Sequence, residues 1–296
     1  MLVDAHVHLN NYHETDAQPV QAQCHELFAK MAERGVDHAV VITSYKVDDA
    51  RPGVEKVMDT LAGDPRTTIV EGLRWRGDDP TDLFAMEERI RARRVRGIKL
   101  YPGYEPYAID DPSLEAVFRM AAKYQVPVLI HTGDTYAKAA KVRKAHPLLV
   151  DDVAVDHPET TFVMCHAGNP WFTDAAEVVY KNDNVYADIS GLTLGAFEAD
   201  FERLMLQRLA EMIRYLGAAE RKLMFGTDWP LVRMGPYVDF LDRLALPAEQ
   251  KECIAWKTAQ QVFGIDLGYA EGRTDAADDK GSSSGASRAT GASRQA

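Results

Sequence analysis

The chain has 296 residues, of which 46% are hydrophobic and 27% charged, and its formal net charge of −11 corresponds to a pI of about 5.3. A chain of this length can bury a large core, and the composition is typical of a soluble globular protein. The acidic balance argues against a nucleic-acid partner, because no basic surface is available to engage phosphates.

Cysteine usage and hydropathy exclude further classes of protein. The three cysteines, Cys24, Cys165 and Cys253, are scattered and form no Cys-x-x-Cys pair, so neither a disulfide framework nor a thiolate zinc site is expected. The sequence contains no basic leader and no run of about 18 apolar residues. We therefore expect a cytoplasmic protein that acts on a small molecule and not at a membrane. Homo-oligomerisation is left open.

Short apolar runs recur along the chain and predict β-strands separated by amphipathic helices. The eight runs span residues 2–9, 36–43, 68–75, 97–101, 127–132, 161–166, 185–190 and 223–228. Strict alternation of strands and helices predicts a parallel sheet with right-handed crossovers, and eight such units match a closed (β/α)8 TIM barrel. An open doubly wound sheet is the alternative, but it would require a glycine-rich loop after the first strand, and residues 6–11 do not form one.

Two further segments complete the predicted organisation. Between the fifth and sixth strands we predict a longer helical stretch over about 136–155, broken near Pro147. From about residue 271 the chain is rich in serine, glycine and alanine without apolar periodicity, which is typical of a disordered tail. We therefore divide the chain into a barrel domain, 1–268, and a disordered tail, 269–296.

Polar residues stand at the ends of several predicted strands, and in a TIM barrel the carboxyl ends of the strands carry the chemistry. The first strand carries His6 and His8, whose spacing puts both imidazoles on one side of the strand. Strands five, six and eight end in His131, His166 and Asp228, and barrel closure brings the eighth strand beside the first. Histidines with one aspartate suit a borderline divalent metal ion, with zinc as the first choice.

The segments that carry these residues resemble motifs of the amidohydrolase superfamily, in particular its amidohydrolase-related branch, which also holds the aminocarboxymuconate-semialdehyde decarboxylase-like enzymes. The segments are DAHVHL (4–9), GIKLYP (97–102), PVLIHTG (127–133), FVMCHAGNP (162–170) and FGTDWP (225–230). The resemblance covers residues 1 to about 265. It implies a metal at the barrel mouth with His6, His8, His131 and Asp228 as ligands. It also implies that His166 is an acid/base and transition-state stabiliser, or a ligand to a second metal.

The role of Lys99 on strand four is left open by this resemblance. In binuclear members of the superfamily a lysine at this position is carbamylated and bridges two metals; otherwise it would orient the substrate. Because the resembled branch is mostly mononuclear, we favour one ion over two. Asp4 has the same parity as His6 in the first strand, so it is expected either to support the metal ligands or simply to pack.

Two reactions could use this set of residues. In hydrolysis of an amide, ester or lactone, Asp228 would take a proton from metal-activated water and His166 would stabilise the oxyanion or protonate the leaving group. This is our first interpretation. The alternative is metal-dependent, non-redox decarboxylation of an unsaturated or aromatic carboxylic acid, in which His166 helps to deliver a proton to carbon. A barrel that binds metal without turnover is a third reading.

Substrate recognition is expected to come from the loops at the barrel mouth. Decarboxylation requires a cation to hold the substrate carboxylate, and Arg74, Arg76 and Arg233 are the candidates. Residues of the loops after strands four, six and eight are expected to wall the pocket: Tyr101, Tyr104, Tyr107, Asn169, Trp171 and Trp229. These aromatic side chains favour a ring or an apolar portion in the substrate, and residues 104–112 are long enough to act as a lid.

Overall fold

The computed structural model describes residues 1–12, 18–75 and 80–268. Eight parallel strands follow one another around the sheet in chain order, and this confirms the predicted TIM barrel. The strands are β1 (Val3–Val7), β2 (His38–Ile42), β3 (Thr67–Gly72), β4 (Ile98–Leu100), β5 (Val128–Ile130), β6 (Phe162–Met164), β7 (Val185–Asp188) and β8 (Leu223–Met224). Arg76 and the predicted tail, 269–296, lie outside the described residues.

Helices cover the outside of the sheet. They are α1 (Val20–Arg34), α2 (Val54–Leu61), α3 (Pro80–Arg91), α4 (Glu115–Tyr124), α5 (Leu148–Asp156), α6 (Phe172–Lys181), α7 (Ala199–Leu216), α8 (Met234–Arg243), α9 (Ala248–Glu252) and α10 (Thr258–Phe263). In α1 the apolar residues recur every three to four positions and are buried, and the helix ends at Gly35, whose φ of 69° is left-handed. Among the described helices, none is both long enough and apolar enough to cross a membrane.

The barrel closes between β1 and the segment that follows β8. The backbone N–H of Asp228 donates to the carbonyl of His6 at 2.8 Å, and the N–H of His8 donates to the carbonyl of Trp229 at 2.7 Å. These bonds continue the strand ladder beyond the two residues of β8. As a result, the eighth strand end lies directly against the first.

The strands end earlier than the sequence predicted. β5, β6 and β8 stop before His131, His166 and Asp228, so these three residues are among the first residues of the loops at the barrel mouth.

The predicted long helix over 136–155 is wrong in its first half. A 3-10 turn covers Val142–Ala145, and α5 begins only after Pro147, which lacks the N–H that a preceding helical turn would require.

Candidate metal centre

His6 lies in the last part of β1 and His8 directly follows the strand, and their Nε2 atoms are 3.2 Å apart. The Nδ1 of His6 lies 3.0 Å from Asp188 Oδ2, and the Nδ1 of His8 lies 2.7 Å from the carbonyl oxygen of Ile42. Because both partners are hydrogen-bond acceptors, each Nδ1 carries the proton and each Nε2 keeps its lone pair. The two lone pairs therefore face one shared point.

Asp228 completes this group from the other side of the barrel seam. Its Oδ1 lies 3.3 Å from His8 Nε2 and 3.8 Å from His6 Nε2. Asp228 has a left-handed φ of 69°, a conformation that aspartate tolerates better than most residues, and its N–H is anchored to His6. Burial would raise the pKa of Asp228, but the neighbouring imidazoles of His8, His6 and His166 lower it to about 2.

The electrostatics of this group favour metal binding over proton binding. Burial lowers the pKa of His6 to about 4, so its imidazole stays neutral near pH 7. Neutral imidazoles and an ionised carboxylate are the states in which these side chains coordinate metals. The ligand atoms of His6, His8 and Asp228 all lie within 4.8 Å of one another. This donor set, with each Nδ1 held by an acceptor, fits a divalent ion that binds nitrogen and oxygen ligands.

His131 and His166 stand beside the three-residue group. The ring of His166 lies 5.0 Å from that of His6 and 5.1 Å from that of His131, between ring centroids. The Nε2 of His131 lies 2.9 Å from the carbonyl oxygen of Asp134, so Nδ1 is the nitrogen left to join a metal. Burial, His166 and Lys99 together lower the pKa of His131 well below its ordinary value. The structure thus brings three of the four predicted ligands, His6, His8 and Asp228, within reach of one ion and places His131 beside His166; the role of His131 as a ligand stays a prediction.

Asp188 and Ser190 belong to this site and were missed by the sequence analysis. Asp188 is buried at the end of β7, and its Oδ2 holds His6 while its Oδ1 accepts from Ser190 Oγ at 2.5 Å and from the N–H of His166 at 3.0 Å. Burial would raise the pKa of Asp188, but attraction to His6 and its hydrogen bond hold it well below the ordinary value. An aspartate that ends an apolar strand is the signal that identified Asp228, and it applies equally to Asp188.

Lys99 is completely buried, and its partner is Cys165. The Nζ of Lys99 donates to Cys165 Sγ at 2.6 Å and lies 5.3 Å from the centre of the Tyr101 ring. His6, Cys165 and Asp188 also have ligand atoms close enough to share an ion. However, burial raises the pKa of Cys165, and a thiol is a poor metal ligand until it ionises. The preference for one metal over two stays a prediction.

Tyr101 and Tyr104 lie in and beside the loop that follows β4, and their role as walls of a substrate pocket stays a prediction. The ring of Tyr104 lies 4.7 Å from that of His131, and its hydroxyl accepts from the N–H of Tyr136 at 2.9 Å. Tyr101 is buried, donates from its hydroxyl to the Thr43 carbonyl at 3.0 Å, and packs against Tyr45 at 4.7 Å. Burial raises the pKa of Tyr104 to about 12, so this phenol stays neutral.

The other predicted substrate residues are placed less centrally. Trp171 directly precedes α6 and packs on His146 at 4.6 Å between ring centroids, while the backbone N–H of Asn169 donates to the His166 carbonyl and its carbonyl accepts from the N–H of Asp134. Trp229 is buried in the seam and lines a neighbouring cleft of about 710 Å³ together with Arg233. Arg74 is exposed, and its charge offsets only part of the burial effect that raises the pKa of Glu105 to about 7. Their role in substrate binding stays a prediction.

Asp4 supports the seam that holds the ligands. Its carboxylate accepts from the N–H of Thr227 at 2.8 Å, from Thr227 Oγ1 at 2.6 Å and from the N–H of His6 at 3.2 Å. These bonds join β1 to the segment that carries Asp228. Asp4 therefore positions the backbone of two ligand-bearing segments and does not contact the ligand atoms themselves.

Comparison with solved structures identifies relatives in fold. An uncharacterized TIM-barrel protein from Bordetella bronchiseptica is 18% identical, with a TM-score of 0.72 over 89% of this chain and 98% of the other. The 5-carboxyvanillate decarboxylase of Sphingomonas paucimobilis is 16% identical, with a TM-score of 0.65 over 89% and 99%. A dihydroxybenzoic acid decarboxylase from a Polaromonas species, with bound manganese and the inhibitor 2-nitroresorcinol, is 12% identical, with a TM-score of 0.61 over 91% and 98%.

Sequence comparison gives the family directly. No curated protein sequence matches this chain significantly. The amidohydrolase family model matches residues 3–265, which include every strand of the barrel and every residue of the candidate metal centre. The match confirms the resemblance drawn from the motifs, and the chain belongs to the amidohydrolase family.

Proposed function

We propose that this protein is a metal-dependent carboxy-lyase, which removes CO2 without redox chemistry from a small aromatic or unsaturated carboxylic acid. The observation that carries the proposal is the group formed by His6, His8 and Asp228, with the half-buried His166 beside it and the ring of Tyr104 nearby. Two structural relatives are named as decarboxylases of aromatic acids, and this reverses the order of the two reactions favoured by the sequence.

Non-redox decarboxylation replaces a carbon–carbon bond by a carbon–hydrogen bond. The carboxylate leaves as CO2, its bonding electrons stay on the substrate carbon, and that carbon takes up one proton. The protein must therefore hold the carboxylate and supply a proton close to the carbon. His166, which lies against both His6 and His131, is the candidate to hold and deliver that proton.

His6, His8 and Asp228 would hold the metal, with His131 as the fourth ligand. Manganese in one relative and the mixed nitrogen and oxygen donors fit Mn²⁺ as well as Zn²⁺. When bound, the ion would supply a Lewis acid that holds an oxygen of the substrate and withdraws charge from it. Tyr104, whose ring meets that of His131 edge to face, would contact the ring of the substrate, and the exposed Arg74 is the candidate to hold a second polar group.

Hydrolysis remains the second candidate because of the geometry of Asp228. Its Oδ1 faces the two histidines, while Oδ2 points towards Gly191, where an added Cβ would lie 3.0 Å away. An aspartate that offers one oxygen to a metal can use the other to accept a proton from water. This arrangement supports attack on an amide, ester or lactone equally well in principle.

Turnover of a substrate panel separates the two reactions. The protein, loaded with Mn²⁺ or Zn²⁺, is incubated with hydroxylated benzoic acids, unsaturated dicarboxylic acids, lactones and amides. We expect CO2 release equal to substrate loss, with one deuterium on the product carbon in D2O. Opening of a lactone or amide without CO2 release would contradict the proposal and favour hydrolysis.

A matched pair of variants ties turnover to the site. We expect His166→Gln to keep the metal and to lose activity by about 100-fold or more, since a general acid contributes on that scale. His38→Gln is the control, because His38 is a buried histidine at the start of β2, at the opposite end of the strands from His166. Loss of the metal in the His166 variant would show that His166 is a ligand.

A further inference from the structure

Ser190 places its hydroxyl between the two histidines of the site that have different predicted tasks. Ser190 Oγ lies 2.9 Å from the Nδ1 of His166 and 3.1 Å from the Nδ1 of His6. It also lies 2.5 Å from Asp188 Oδ1, and Ser190 is completely buried. One hydroxyl therefore contacts a metal ligand, the candidate proton carrier and a buried carboxylate.

The single proton of the Ser190 hydroxyl is donated to Asp188. A carboxylate oxygen can only accept, so the short contact to Asp188 requires Ser190 Oγ to donate. Ser190 Oγ then has only lone pairs to offer to His166. The carbonyl oxygen of Ser190 lies 3.2 Å from the same Nδ1, and it too can only accept. Both neighbours of the His166 Nδ1 therefore require a proton on that nitrogen.

From this network we infer that Ser190 is a positioning residue that holds neutral His166 in the Nδ1–H tautomer. In that tautomer Nε2 carries the lone pair, so Nε2 is the atom that takes up a proton and later gives it away. The tautomer stands without any assumption about the reaction, whereas the use of Nε2 rests on the proposed function.

Backbone contacts help to hold the His166 ring beside Ser190. The N–H of His166 donates to Asp188 Oδ1, the same oxygen that accepts from Ser190. Gly191 follows Ser190 in the chain. A Cβ added at Gly191 would lie 2.6 Å from the Nδ1 of His166, and the φ of Gly191 is +63°. The close approach of the ring therefore leaves no room for a side chain here, and glycine adopts this left-handed backbone without strain. A side chain at this position would push the ring away from Ser190.

Nuclear magnetic resonance of the histidine rings tests the tautomer directly. The zinc-loaded protein is diamagnetic, and ¹⁵N-labelled histidine reports the proton on Nδ1 or Nε2 of each ring from its nitrogen shifts. His166 is assigned by the signals that are missing from His166→Gln. We expect a single neutral form with the proton on Nδ1. A neutral His166 with its proton on Nε2 would overturn the inference, whether or not any substrate has been found.

Substitution of Ser190 tests its positioning role. In Ser190→Ala we expect the His166 Nδ1–H signal to shift or broaden, with unchanged zinc content, and kcat to fall about 10-fold or more with KM within about twofold. Ser190→Thr, which restores a hydroxyl, should recover both the signal and kcat. Thr160→Val is the control. Thr160 lies just before β6, and its buried hydroxyl donates to the Phe118 carbonyl, so this variant removes a buried hydroxyl away from His166. An unchanged His166 signal in Ser190→Ala would overturn the role of Ser190.

Discussion

His38 and His6 are both buried and lie at opposite ends of the barrel strands, but their Nε2 atoms face different partners. His38 begins β2 and His6 lies within the last residues of β1, and burial lowers the pKa of each to about 4. The Nε2 of His38 lies 2.9 Å from Thr68 Oγ1, inside the protein. The Nε2 of His6 instead faces His8 and Asp228. Burial alone therefore does not identify a metal ligand; a lone pair directed at other donors does.

The position along the strand explains this difference. In a parallel barrel all carboxyl ends meet at one rim, so side chains from several strands can converge there. At the amino ends the chain arrives from helices, and a buried polar side chain such as His38 is satisfied by its neighbour strand. The comparison predicts that substitutions at the two ends change different properties.

The largest difference is expected between His8→Ala and His38→Gln. The first variant removes one of three converging donors, so we expect it to lose bound metal and to reduce turnover by about 1,000-fold or more. His38→Gln should keep one equivalent of metal and lose about 1–2 kcal/mol of the free energy of unfolding through its disturbed hydrogen bond. Elemental analysis and urea unfolding measure both. Full metal content in His8→Ala would remove His8 from the ligand set.

An intermediate effect is expected at Asp188, which acts through His6. In Asp188→Asn the amide offers an N–H group or a weaker acceptor to His6 Nδ1. The His6 ring is then held less firmly, and its Nε2 becomes a less basic metal ligand. We expect the metal affinity to fall by about 10–100-fold, measured by competition with a chelator. Glu105→Gln is the control, because Glu105 is a buried carboxylate that accepts from Tyr107 and the N–H of Trp75 and not from an imidazole nitrogen. Equal affinities in the two variants would contradict the role of Asp188.

The smallest effect extends the comparison to buried carboxylates away from the metal centre. Glu71 is held by Arg89, with Nε 2.8 Å from Oε2, whereas Glu105 accepts from Tyr107 and the N–H of Trp75, and burial raises its pKa to about 7. The ordinary pKa of a glutamate is near 4.5. Between about pH 4.5 and pH 7, Glu105 therefore keeps its proton in the folded chain but has lost it in the unfolded chain. The stability that Glu105 contributes is therefore complete below that window and is lost as the pH rises to about 7.

This pH dependence can be measured with Glu105→Gln, which cannot titrate. We expect the variant to gain about 1–3 kcal/mol in free energy of unfolding relative to the wild type when the pH is raised from 5 to 8. Urea unfolding at both pH values gives the difference. A constant difference between the two proteins would mean that Glu105 is ionised across the whole range.

Much of this molecule follows from local sequence rules. Apolar runs of strand length, separated by helical spacing, are enough to predict eight parallel strands, because each rule acts on residues close in the chain. The spacing of His6 and His8 places both on one side of β1, and the aspartate after the eighth run joins them once the barrel closes. The family motifs, the three-residue metal group and the neighbouring His131 and His166 were all within reach of this reasoning.

Only the tertiary structure decided which atom of each side chain is used. Asp188 and Ser190 reach His6 across about 180 residues of chain, and Lys99 meets Cys165 from another strand. Such contacts depend on side-chain torsions and strand register, which no local pattern specifies. The sequence alone determined which residue types gather at the barrel mouth. The fold determined which nitrogen of each imidazole holds a proton, because that depends on the acceptor that distant segments place beside it.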